Sequence, residues 1–170
     1  FASTSENSVA SVEKALKQAI ACAQSISEMK KAKVKALPET KMARGEFTLP
    51  GYDKLSKMAL SDKLSVVREA EEKTRTRSAS IHSASCAYNE MFEDKIVVTT
   101  DGACAVSQLA RNEFRLSAFA EKEGDRAVAH ESVGKTGTWE CLFEPRSWDA
   151  LSEKAAKLAV DLAKANRVQG

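Results

Sequence analysis

Two short runs in this chain have the residue types of familiar chemistries. Ala129-x4-Gly134-Lys135-Thr136 has the outline of a phosphate-binding loop, and His130-Glu131 has the first two residues of a zinc-binding protease helix. Each chemistry makes a geometric demand. A phosphate loop needs a strand, then a glycine-rich turn whose N–H groups converge on the anion, then a helix whose positive end faces the same point. After Thr136 the chain reads Gly137-Thr138-Trp139-Glu140-Cys141-Leu142-Phe143, an alternating run of strand formers, so no helix is expected there. The run is read instead as a glycine-bearing connection between strands. A metal helix needs two histidines on one face, as in H-E-x-x-H, and Gly134 stands where the second would be. His82 lies far upstream, and both histidines are read as strand residues with ordinary hydrogen bonds. Cys22, Cys86, Cys104 and Cys141 have neither C-x-x-C nor finger spacing, and are expected to be buried, reduced thiols. No catalytic, cofactor-binding or metal-binding residue is therefore assigned within this chain.

The elements that must position these residues follow from periodicity. Phe1 to Thr4 read as the end of a strand, and Asn7 or Ser8 as the cap of a helix in which Val9, Val12, Leu16, Ala19, Ile20, Ala23 and Ile26 recur. Residues 30–53, with two prolines, two glycines and many lysines, read as a long basic surface loop. Ser61 is the expected cap of a second helix facing its core with Leu64, Val67 and Ala70. SASIHSASCAYNEMF and EDKIVVTT are expected strands, and Asp101-Gly102 is a hairpin signal before ACAVSQLA. NEFRLSAFAE alternates, with Phe114, Leu116, Ala118 and Ala120 on one face and Arg115, Ser117 and Phe119 on the other. Glu123-Gly124-Asp125 turns the chain into RAVAHES. From Ser147 a last helix carries the stripe Leu151, Ala155, Leu158, Ala159, Leu162 and Ala163. Helices plus hairpin-connected strands predict an α+β two-layer sandwich, with helices packed on a meandering antiparallel sheet, as a single domain over 1–170.

Composition sets the class. With 43% apolar and 29% charged residues and a net charge of +2, the chain has the make-up of an ordinary soluble protein. Charge gives no general case for nucleic acid, although Lys30, Lys31, Lys33, Lys35, Lys41 and Arg44 make one loop basic. Membrane-spanning and leader patterns are not found, so a cytoplasmic place is expected.

The succession FAST, then a helix, DKLSVVREAEE, the TTDG turn, the RLSAFAEKEGDRAVAHES hairpin, the G-x-x-G connection with Trp139-Glu140 and the alanine-rich final helix resembles the TldD/PmbA family, once named modulators of DNA gyrase. The resemblance implies the truncated amino-terminal domain of a cytosolic metallopeptidase, without its first strands and its catalytic carboxy-terminal domain. It implies a homodimer or a TldD–PmbA-type heterodimer that encloses a chamber for unfolded peptides, with zinc or another divalent metal held by H-E-x-x-x-H in the full-length parent. Counted from His130, that motif would need histidine where Lys135 stands, so His130 is not carried over as a ligand. The alternatives are a non-catalytic PmbA-type partner and, on the basic loop alone, a regulator associated with DNA or topoisomerase.

Overall fold

The computed structural model describes residues 1–30, 41–144 and 146–165. It divides into two compact units, Phe1–Lys41 and Met42–Gly170. In the first, helix α1 (Val9–Met29) opens at Ser8, whose hydroxyl accepts from the Ser11 N–H at 3.2 Å, as the sequence predicts. Its apolar stripe builds no core, because none of its residues is buried. Phe1 to Thr4, expected as a strand end, forms no strand; among the described residues no strand pairs with it to supply the ladder hydrogen bonds that would hold it extended.

The second unit is organised around one long strand. In chain order its elements are β1 (Arg44–Thr48), α2 (Tyr52–Ser56), α3 (Leu60–Thr76), β2 (Ile81–Val98), β3 (Cys104–Lys122), β4 (Asp125–Thr136), α4 (Trp139–Leu142) and α5 (Trp148–Lys164). β3 pairs antiparallel with β2 along one edge from Cys104 to Ala120. Along the other edge it pairs first with β1, in parallel, and then with β4, antiparallel. The class is α+β as expected, and β2, β3 and β4 form the expected antiparallel meander. The parallel strand is an addition: the stretch read as a long basic loop contains β1 and the first two residues of α2, while its residues 31–40 lie outside those described. Likewise, the separate strands expected to break between Phe92 and Glu93 and at Arg111 are the single strands β2 and β3.

The predicted alternation in β3 holds. Phe114, Leu116, Ala118 and Ala120 are buried, and Arg115, Ser117 and Phe119 face the other way. Against the buried face lie α3 and α5, joined in the core by Ala70, Ala129, Leu142, Leu151, Ala155 and Ala159. The many alanines let helix backbones approach the sheet closely, and fully burying Phe114 or Leu116 contributes about 1.5–3 kcal/mol each. α5 is capped by Ser147 as expected. Its buried face is Leu151, Ser152, Ala155, Ala156, Ala159, Val160 and Ala163, while Leu158 and Leu162, placed on the stripe by spacing, are exposed at its flank. α3 begins after Ala59, not Ser61, whose hydroxyl turns to Asp62. Leu64 is exposed and the buried line is Lys63, Ala70 and Thr74.

Candidate functional site

The residues singled out for chemistry are spread by the strands rather than gathered. Ala129 to Thr136 all lie within β4, with Gly134 opposite Glu113 and Lys135 opposite Asn112. The glycine and lysine therefore belong to a ladder, and no loop exists to cradle a phosphate. Lys135 Nζ donates to the Glu144 carbonyl. A helix does open after this run, contrary to the reading of 137–143 as a strand, but α4 has only four residues. Its formation follows from packing: Leu142 is fully buried, and Trp139 and Phe143 meet edge to face at 5.3 Å, one helical turn apart. Burying those groups overrides strand propensity.

His130 and Glu131 are neighbours in a strand, so they point to opposite faces of the sheet. On the outer face His130 Nδ1 lies 2.8 Å from Ser117 Oγ. On the helix-bearing face Glu131 pairs with Lys154 of α5 at 2.7 Å. His82 is on β2, across β3 from His130. The cysteines were expected to be buried, yet only Cys86 is even half-buried; Cys22, Cys104 and Cys141 are exposed. Cys22 lies on a helix with no buried face, and Cys104 lies at the hairpin end of β3, opposite exposed Val98. Burial, with a smaller contribution from Glu71, pushes the Cys86 thiol up to about 12, which leaves it protonated and inert at neutral pH.

The most concentrated chemistry was not anticipated. Lys63, on the sheet-facing side of α3, is only 4% exposed. Its Nζ lies 2.8 and 2.7 Å from the two carboxylate oxygens of Glu90 on β2, and 3.4 Å from the Leu55 carbonyl. All three ammonium hydrogens are thereby used. The Tyr88 hydroxyl donates to Glu90 Oε2 at 2.9 Å and also approaches Asn112 Oδ1 at 3.3 Å. Asn112 Nδ2 donates to the Gly137 carbonyl at 2.8 Å. Burial first, and the bond to Glu90 second, raise the Tyr88 pKa, so its proton stays in the network. This chain of bonds ties α3 to β2, β2 to β3, and β3 to Gly137, two residues before α4. The Tyr88 ring also meets Trp139 edge to face at 5.0 Å. A lysine with every donor occupied is not a free nucleophile or base, so the arrangement fixes geometry instead of carrying a reaction.

A second polar set holds the helices together. Thr74 Oγ1 donates to the Ala70 carbonyl at 2.6 Å and lies 2.9 Å from Ser152 Oγ, Arg77 pairs with Asp149 at 2.6 Å, and Lys73 lies 4.8 Å over the Trp148 ring. The sequence offers one signal for both sets: Lys63, Ala70 and Thr74 share a helical face at spacings of seven and four, which a hydrophobic-only stripe passes over.

In this α+β fold the most concentrated polar side chains are bonded to one another and to backbone. A family model described as the PmbA/TldA metallopeptidase central domain matches residues 53–163, a span from α2 to α5, and the chain belongs to that family. The description gives a central domain, where the sequence resemblance pointed to an amino-terminal one. A search of curated proteins finds no match. Among the described residues no three of His, Cys, Asp and Glu come together as a group able to hold a metal. With His82 and His130 on strands that flank β3 on opposite sides, the described residues do not fit the metal that the family description implies. Among the described residues no helix is long and apolar enough to cross a membrane.

Proposed function

We propose that this chain is a non-catalytic domain of a TldD-like metallopeptidase. It contributes rigidity, contacts within a homodimer or TldD–PmbA-type heterodimer, and part of the wall of a cytoplasmic chamber that accepts unfolded peptides. The family match over 53–163 carries the reading. It is supported by the way Lys63, Glu90, Tyr88 and Asn112 are spent on one another and on backbone. Peptide cleavage, with zinc or another divalent ion, is assigned to residues outside this chain. A PmbA-type partner subunit is the second reading, because the matched family covers both names.

The test is metal analysis and a cleavage assay on the purified chain. Titrated with zinc and then gel-filtered, it is expected to retain far less than one equivalent and to leave an unfolded, casein-derived peptide intact. One equivalent of retained zinc, or cleavage that a chelator abolishes, would overturn the reading.

A further inference from the structure

Beside the polar network a cleft of about 300 Å³ opens between three short stretches, lined by Lys54 and Leu55 of α2, Met58, Asp62 of α3, and Trp139 and Glu140 of α4. Leu55 is buried at its floor, and Met58 and Trp139 are half-buried walls. Trp139 is held from two sides, by Tyr88 at 5.0 Å and Phe143 at 5.3 Å, so the wall it presents is rigid. Met58 opposite is the adaptable wall, since an unbranched thioether side chain repacks easily around a guest. The space is at the small end of ligand clefts and suits one apolar side chain.

The rim is charged unevenly. Lys54 is spent on an ion pair with Glu140. The hydrogen bond from Lys54 is the main reason that the Glu140 carboxyl is held down at about 2, so it stays ionised at neutral pH. Asp62 receives only the neighbouring Ser61 hydroxyl, at 3.3 Å, and among the described residues no cation pairs with it. Two carboxylates against one ammonium leave the rim one negative charge in excess, over an apolar floor.

We propose that this cleft binds a peptide segment in which an apolar side chain is followed by a basic residue. The apolar group enters between Met58 and Trp139, over Leu55, and the cation of the next residue meets Asp62. The inference deepens the proposed function by naming a peptide class, and rests on it for the arrival of peptides at this domain. Binding is read on this chain alone, without metal or cleavage, so its failure is distinct from failure of the metallopeptidase reading.

The experiment uses the chain carrying Trp148→Phe, which leaves Trp139 as the one tryptophan emitter, since the sequence has two tryptophans. Fluorescence is titrated with N-acetyl-leucyl-lysine amide and with N-acetyl-leucyl-glutamate amide. The lysine probe is expected to give a saturable change with Kd on the order of 0.1–1 mM, and the glutamate probe to bind about threefold more weakly, as an exposed charge pair permits. Asp62→Asn is expected to bring the two probes to parity, and Met58→Phe, a bulkier and stiffer side chain that narrows the cleft without adding a tryptophan, to abolish saturable binding of either. If Met58→Phe fails to fold by circular dichroism, parity in Asp62→Asn decides the matter alone. No saturable change with the lysine probe, equal affinity for the two probes in the parent chain, or an undiminished lysine preference in Asp62→Asn overturns the proposal.

Discussion

Lys63 and Glu90, 27 positions apart, meet with the lysine Nζ bonded to both carboxylate oxygens. This one contact joins α3 to β2, and the lysine side chain is 5% exposed against 27% for the glutamate. Taking two charges out of water is costly, and removing one partner strands the other. Because Glu90 keeps some access to solvent, the cost should fall below the range for fully buried pairs. Lys63→Met and Glu90→Leu are each expected to destabilise the chain by about 2–3 kcal/mol. The double variant should lose clearly less than the sum, by about 1 kcal/mol or more. Urea unfolding of the four proteins gives the cycle, and strict additivity would show that the pair is not coupled.

Asn112 is 2% exposed and connects the Tyr88 hydroxyl to the Gly137 carbonyl. Asn112→Leu keeps the branched outline but leaves that buried carbonyl without its donor, at an expected cost of about 2 kcal/mol. Tyr88→Phe removes a hydroxyl whose nearer acceptor, Glu90, keeps Lys63 and whose contact to Asn112 Oδ1 is the longer one at 3.3 Å, so about 1 kcal/mol is expected. Equal losses in the two would contradict this ordering.

Stability should fall in alkali. Cys86 has its folded pKa raised from 9.0 to about 12, and Tyr88 is raised above its ordinary 10.0, burial again being the first cause. Above pH 9 the unfolded thiol, and above pH 10 the unfolded phenol, release protons that the folded forms keep. The unfolded state then binds fewer protons, and stability decreases with pH. The contribution is complete below about pH 9 and is lost progressively as pH rises toward 12. Urea midpoints at pH 8 and 10.5 are expected to drop in the parent chain and to drop less in Cys86→Ala. The same slope in both would remove Cys86 from the explanation.

Two glycines should respond differently to a methyl group. Gly124 has φ +88 in the β3–β4 turn, after Glu123 at φ +54, and a Cβ there would meet open space. Gly124→Ala is expected to cost about 1 kcal/mol from backbone strain alone. Gly51, which caps α2, has φ +81, and a Cβ would come within 2.5 Å of Thr138 Cγ2. Gly51→Ala therefore adds a clash to the strain and should lower the melting temperature more than Gly124→Ala does. The reverse order would show that Thr138 yields easily.

Much of the fold was legible because its cause is local. Alternation along Phe114 to Ala120 and the cap at Ser147 depend on residues a few positions apart, and both appear as read. The dismissal of the phosphate-loop outline was reached by expecting a strand after Thr136, whereas the structure places the outline itself inside β4 and a short helix after it. The stripe of α5 was misread at Leu158 and Leu162 because small residues at 152, 156 and 160, rather than the largest apolar ones, sit closest to the sheet. The cleft and the network were not legible, because each is assembled from several elements.

Amino-acid order alone determined the α+β class, the hairpin turns at Asp101-Gly102 and Glu123-Gly124, and the family resemblance, since these rest on periodicity, turn chemistry and the succession of motifs. Tertiary structure decided that β1 runs parallel to β3, with Thr48 and Gln108 bonded across 60 positions. It also decided that Trp139 begins a helix, and that Lys63 is buried against Glu90. Those outcomes depend on which distant surface each residue meets, because a charge is driven from the interior unless a partner is already there, and that partner is supplied only by the folded sheet.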